Sequence, residues 1–99
     1  MKYDLIVRSV AEKDIWQVAW YYEQQVNGLG KEWIMCVDDA MSSIETNPNI
    51  FSKYYREYRR GLVRRFPYGI FYIVDENTVS VVRILDLRQS PNVLTESLK

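Results

Sequence analysis

The chain reads as an α+β protein: an N-terminal strand, an antiparallel helical hairpin, then a three-stranded antiparallel meander, with residues 1–99 forming one domain. Three observations predict this. Apolar residues recur at helical spacing in two runs, and Asn27-Gly28-Leu29-Gly30 separates the runs. Beyond Asn47-Pro48-Asn49, β-prone segments alternate with short turns.

Tyr3–Arg8 is expected to be a strand, with Tyr3, Leu5 and Val7 on one face. Ser9-Val10-Ala11-Glu12 has the S-x-x-E form of a capping box, which places a helix start at Val10. Ile15, Val18, Ala19, Tyr22 and Val26 then form its buried stripe. Gly28 and Gly30 suit the hairpin turn, because glycine accepts the left-handed cap conformation. The second helix carries Trp33, Val37, Ala40, Met41 and Ile44 on its apolar face and stops at Asn47-Pro48. The meander is expected over Arg59–Phe66, Gly69–Val74 and Thr78–Asp86, followed by a short tail or helical turn after Pro91.

Composition excludes several functions. Nearly half the residues are apolar and eleven are Trp or Tyr, so the chain should fold. Met1-Lys2-Tyr3-Asp4 runs straight into an amphipathic segment, so no signal peptide is expected. No apolar run approaches the ~18 residues of a membrane span, and the lone Cys36 fits a reducing compartment. A cytoplasmic protein without membrane association is the expectation. Histidine is absent, which removes Ser-His-Asp and Cys-His catalysis and the commonest metal ligand. Asp38 and Asp39 are adjacent on a helix and diverge by about 100°, so neither a metal nor a cofactor site is expected. Trp16, Trp20, Tyr21 and Tyr22 are expected mainly to pack the hairpin on its sheet, with some exposed to a partner protein.

The chemistry that remains is cationic. Residues 1–50 carry four Lys/Arg and eight Asp/Glu; residues 51–99 carry nine and five. The neutral total argues against generic nucleic-acid coating. The excess in the second half still permits an anion-binding strip built from Arg59, Arg60, Arg64 or Arg65, Arg83 and Arg88. If Arg59–Phe66 is one strand, Arg64 shares a face with Leu62 and Phe66, and Arg65 lies on the other with Val63. Ordinary salt bridges to Glu57, Asp86 or helix carboxylates are the competing account, and composition does not choose between the two.

The order of residues adds information. Ala11-x-x-Asp14-Ile15 opens the first helix, Leu29-Gly30 joins the helices and Asn47-Pro48 closes the second. Then come Arg60-Gly61-Leu62-Val63-Arg64-Arg65-Phe66-Pro67-Tyr68, Tyr72 and Arg88-x-x-Pro91. In this arrangement the chain resembles the RelE/ParE superfamily of toxins from type II toxin–antitoxin systems over nearly its whole length. The resemblance implies the same α+β layout and a cognate antitoxin that wraps the surface. RelE-like members cleave mRNA in the ribosomal A site without metal; ParE-like members poison DNA gyrase.

Several residues depart from the RNA-cleaving pattern. Gly69 follows Tyr68 where many such members have arginine, Asp86 stands where a basic residue is common, and Asn92-Val93-Leu94 lacks a terminal aromatic. The resemblance therefore favours a ParE-like toxin, with Arg59, Arg60, Arg64, Arg65, Arg83 and Arg88 facing target or antitoxin. The alternative is a ribosome-dependent mRNA interferase in which Arg64, Arg65 and Arg83 hold phosphate and Arg88 or Tyr72 assists proton transfer. A third reading is a non-toxic member that only binds an antitoxin.

Overall fold

The computed structural model describes residues 3–99, so the expectation concerning Met1-Lys2 lies outside the described residues. The chain orders as β1 (Asp4–Val7), α1 (Ser9–Gln25), α2 (Leu29–Thr46), a 3-10 turn (Pro48–Ile50), β2 (Lys53–Tyr55), β3 (Tyr58–Leu62), β4 (Tyr68–Asp75), β5 (Thr78–Asp86) and α3 (Pro91–Ser97). The five strands form one sheet in the order β1-β5-β4-β3-β2. β1 pairs parallel with β5, and the other neighbours are antiparallel. The α1–α2 hairpin covers one face of the sheet and α3 covers part of the other.

The strand passes into the first helix without a side-chain cap. Arg8 N–H donates to the Val81 carbonyl (3.0 Å), which extends the β1–β5 contact and holds Arg8 extended at φ −66°, ψ 152°. Arg8 is therefore the N-cap and Ser9 the first helical residue, so the expected capping box does not form. The buried seam of α1 also begins earlier than expected, at Ala11 and Asp14. Val26 lies beyond the helix in extended backbone and is exposed.

Two glycines explain the Leu29-Gly30 junction. Gly28 adopts φ 88°, a left-handed conformation that costs a residue with a Cβ. Gly30 is a close approach instead: a Cβ there would sit 2.6 Å from the Ala19 carbonyl oxygen. The Glu23 carboxylate closes the turn by accepting N–H bonds from Gly28 and Gly30, both at 3.0 Å. On α2, Trp33, Val37 and Ile44 are fully buried as expected, with Ala40 and Met41 half-buried beside them. Trp33 additionally donates its indole N–H to the Ile15 carbonyl (2.9 Å), which pins α2 to α1.

The sheet differs from expectation at one margin. Lys53–Tyr55 forms an additional short strand, and β3 stops at Leu62 instead of reaching Phe66. Arg65 has φ 72°, so the chain leaves the sheet in a turn and the expected alternation of Arg64 and Arg65 across a strand does not arise. Between β4 and β5 the register shifts, pairing Phe71 with Arg83 and Tyr72 with Val81. Val82 is the extra residue of this bulge, a feature that re-aims neighbouring side chains.

Burial divides the same way. Ile70, Tyr72, Val79, Val81 and Ile84 join the helices in the main core. Phe71 and Leu85 turn to the opposite face, where Leu94 and Leu98 of α3 cover them and Tyr54, Tyr55 and Tyr58 pack alongside. The segment after Pro91 is thus a helix with a packing role; Ser90 caps it by accepting the Val93 N–H at 3.3 Å. Trp16 and Trp20, expected to pack on the sheet, point to solvent. Only Trp33 of the three tryptophans is buried, since positions 16 and 20 fall on the opposite side of α1 from Ala11 and Asp14.

Candidate functional site

The six arginines do not form one continuous strip; each is held by a different part of the fold. Arg83 is three-quarters enclosed. Its Nε and Nη2 donate to the two oxygens of Asp14 at 2.8 and 3.2 Å, and Asp14 Oδ2 also accepts the Ile84 N–H at 3.0 Å. The carboxylate is almost entirely buried and saturated by these three bonds. The hydrogen bonds that Arg83 donates to Asp14 hold its guanidinium above its ordinary pKa, against the smaller opposing effect of burial. Arg83 is a tie between β5 and α1.

Arg59 and Arg60 lie on opposite faces of β3. Arg59 donates Nη1 to the Phe51 carbonyl at 2.6 Å. Its cross-strand neighbour Tyr72 is fully buried and donates its hydroxyl to the Pro48 carbonyl at 2.6 Å. The two side chains together hold the segment that connects α2 to the sheet. Burial raises the Tyr72 phenol above its usual pKa, with Arg59 pulling weakly the other way. Arg60 instead lies 4.7 Å over the Tyr54 ring, and Arg56 similarly covers Tyr55 at 4.9 Å.

Arg64 and Arg65 project from the turn after β3 and are exposed. Arg65 pairs with Glu32 of α2 at 3.0 Å. Arg64 has no ion-pair partner among the described residues and borders a groove of about 320 Å³ between α2 and β3, with Cys36, Asp39, Phe51 and Leu62.

Arg88 stands just beyond β5 and is exposed. Its backbone N–H and Nε donate to Asp86 Oδ1 at 2.9 and 3.0 Å, and Nη2 to Oδ2 at 2.8 Å. These bonds hold the Asp86 carboxyl below its ordinary pKa and raise that of Arg88. The phenols of Tyr22 and Tyr68 share this end of the molecule, and burial, assisted by the Asp86 charge, raises both. Phe66 and Trp33 pack beside them. Gly69 lies close by: a Cβ there would meet Leu87 at 2.9 Å and the Arg60 stem at 3.1 Å.

Sequence reasoning named Asp86 as a salt-bridge partner but assigned no role to Asp14, whose partner lies 69 residues away. The Ala11-x-x-Asp14 motif was the only trace of it. Among the described residues no group of three or more His, Cys, Asp or Glu side chains could hold a metal. Nor is any helix long and apolar enough to cross a membrane.

An α-hairpin packs on a mixed sheet, with arginines at the turn after β3 and beyond β5. A family profile described as the ParE toxin of type II toxin–antitoxin system, parDE, matches residues 5–91. The chain belongs to that family and is the toxin member of a toxin–antitoxin pair, with a cognate antitoxin as its partner. Among solved structures, the chromosomal ParDE system from P. aeruginosa superposes with TM-score 0.76 at 12% identity, covering 87% of this chain and 97% of that one. The RelBE2 toxin–antitoxin complex from Mycobacterium tuberculosis gives 0.60 at 17% identity, covering 87% and 92%. At these identities the likeness is one of fold. No curated relative matches the sequence.

Proposed function

We propose that the chain is a ParE-like toxin that arrests growth by binding DNA gyrase, and that it has no hydrolytic centre. One observation carries this reading: Tyr72 and Arg88, the side chains that the sequence offers for proton transfer, are already engaged within the fold. Tyr72 is buried and donates to the Pro48 carbonyl, and Arg88 donates three bonds to Asp86. A metal-free ribonuclease needs groups free to take and give a proton at the 2′-oxygen and the leaving oxygen. Position 69, where RNA-cleaving relatives often carry arginine, has its side-chain space filled by Leu87 and Arg60.

In this reading Arg88, Arg64 and Arg65, which are exposed, meet the target or the antitoxin, and Arg60 joins them from its place over the Tyr54 ring. Arg59 and Arg83 act through the fold, one holding the Phe51 carbonyl and the other Asp14. The groove beside Arg64 suits an antitoxin segment that combines apolar and acidic side chains, since Phe51 and Leu62 line its floor and a cation borders it. Induction in a bacterial host with mapping of mRNA 5′ ends tests the reading. Growth arrest without new ends at fixed codon phase is expected. Codon-phased cuts that vanish in a folded Arg88→Ala variant would overturn it in favour of an mRNA interferase, and harmless soluble protein would favour a non-toxic member.

A further inference from the structure

Asp86 and Arg88 form a closed unit at the end of β5. The turn that carries them is fixed on both sides: Leu87 donates its N–H to the Pro67 carbonyl at 2.8 Å, and Gln89 donates to the Asp86 carbonyl at 3.3 Å. Asp86 is three-quarters enclosed, whereas two-thirds of the Arg88 side chain meets solvent. The carboxylate therefore lies behind the guanidinium, on its protein side. Its two oxygens take Nε–H and one Nη2–H side-on, at 3.0 and 2.8 Å, and Oδ1 also accepts the Arg88 backbone N–H at 2.9 Å. A guanidinium has five N–H donors, so three remain, both on Nη1 and one on Nη2, and they point away from the carboxylate. That free edge is firmly aimed, because planar side-on pairing leaves the group little rotational freedom.

We infer that Asp86 decides what Arg88 recognises: it holds the guanidinium in place and cancels its charge, so the free edge takes an uncharged oxygen of a protein partner, a backbone carbonyl or carboxamide, in preference to a phosphate. The inference rests on the reading of this chain as a protein-binding toxin. With carboxylate and guanidinium 2.8 Å apart, an approaching group meets a dipole and not a net positive charge. A phosphate would also bring its own charge up to a carboxylate that stays in place. The other titratable groups that act on Arg88 are the Tyr22 and Tyr68 phenols, with no second cation among them. Both phenols are neutral at physiological pH and offer hydroxyls, which again suit an uncharged partner group. Aimed donors without net charge give directional bonds but little of the salt-dependent attraction on which nucleic-acid binding relies.

Asp86→Asn tests this, since Asn keeps an oxygen for the Arg88 backbone N–H while losing the charge. Thermal melts should match the wild type; Asp86→Ser, whose hydroxyl also accepts such an N–H, repeats the test should Asn perturb the turn. Two readouts apply to the purified chain: inhibition of gyrase supercoiling, and fluorescence anisotropy with a labelled single-stranded RNA at low salt. Asp86→Asn should inhibit gyrase about tenfold less well and bind the RNA about fivefold or more tightly. Glu76→Gln makes the same change in net charge at the exposed turn between β4 and β5 and should move neither readout. Adding Arg88→Gln to Asp86→Asn should remove the gain on RNA. An Asp86→Asn chain that binds RNA no better than Glu76→Gln, or inhibits gyrase as well as wild type, overturns the inference. Wild-type protein that spares gyrase while the RNA gain appears would refute the gyrase reading and still support the role of Asp86 in excluding phosphate.

Discussion

Arg83 and Asp14, 69 positions apart, join β5 to α1 through a two-pronged ion pair whose carboxylate also takes the Ile84 N–H. The β4–β5 bulge at Val82 adjoins this contact, so the irregular register and the ion pair form one structural unit. Removing either partner strands the other near the core. Arg83→Ala should cost about 2–4 kcal/mol in urea unfolding, somewhat less than a fully enclosed pair because a quarter of the Arg83 side chain meets solvent. The double variant Asp14→Leu/Arg83→Met should recover much of that loss. Equal losses in the single and double variants would contradict the assignment.

Tyr72 tests whether a residue suggested by the family resemblance is structural. Tyr72→Phe removes the hydroxyl bonded to the Pro48 carbonyl and should lower stability by about 1–2 kcal/mol. Growth arrest at permissive temperature should persist. Loss of toxicity in a variant of undiminished stability would show that the hydroxyl acts on a target.

Gly30→Ala places a methyl 2.6 Å from the Ala19 carbonyl, where backbone must move. Overpacking of this kind costs about 1–3 kcal/mol, and the melting temperature should fall accordingly. Gly28→Ala meets no neighbouring atom and should lose only the penalty of its positive φ, about 1–2 kcal/mol.

The phenols provide a pH signature. Burial raises the pKa of Tyr22, Tyr68 and Tyr72 in the folded chain, so their stabilising contribution is complete below the unfolded tyrosine value of about 10. It is lost as pH rises through the folded values, because ionised phenols favour the unfolded state. Spectrophotometric titration should show a late-ionising group of tyrosines accompanied by unfolding. Ionisation of all eight tyrosines near pH 10 with the fold intact would contradict this.

The helices, their stops and the central strands were legible because each rests on local periodicity or turn chemistry. β2 was not: three residues, Lys53-Tyr54-Tyr55, are too few to show an alternation. The end of β3 was hidden for a different reason, since Val63-Arg64-Arg65-Phe66 continues the strand pattern while Arg65 adopts positive φ. Candidate site residues were recognisable as a set of arginines, but their division into tethers and outward cations depends on distant partners. Asp14 and the Phe51 carbonyl leave no mark near Arg83 or Arg59 in the chain. The exposure of Trp16 and Trp20 was legible only as some aromatics meeting solvent, although the Ile15, Val18, Ala19 and Tyr22 stripe already sets those two positions off the buried side of α1.

The most direct test of the central claim is a DNA cleavage-complex and supercoiling assay with purified gyrase and the purified chain. The account predicts gyrase inhibition that antitoxin reverses and that Arg88→Ala weakens by roughly tenfold, as loss of a contact arginine would. Gyrase fully active at large toxin excess, with ribosome-bound mRNA cut by the same preparation, would contradict it.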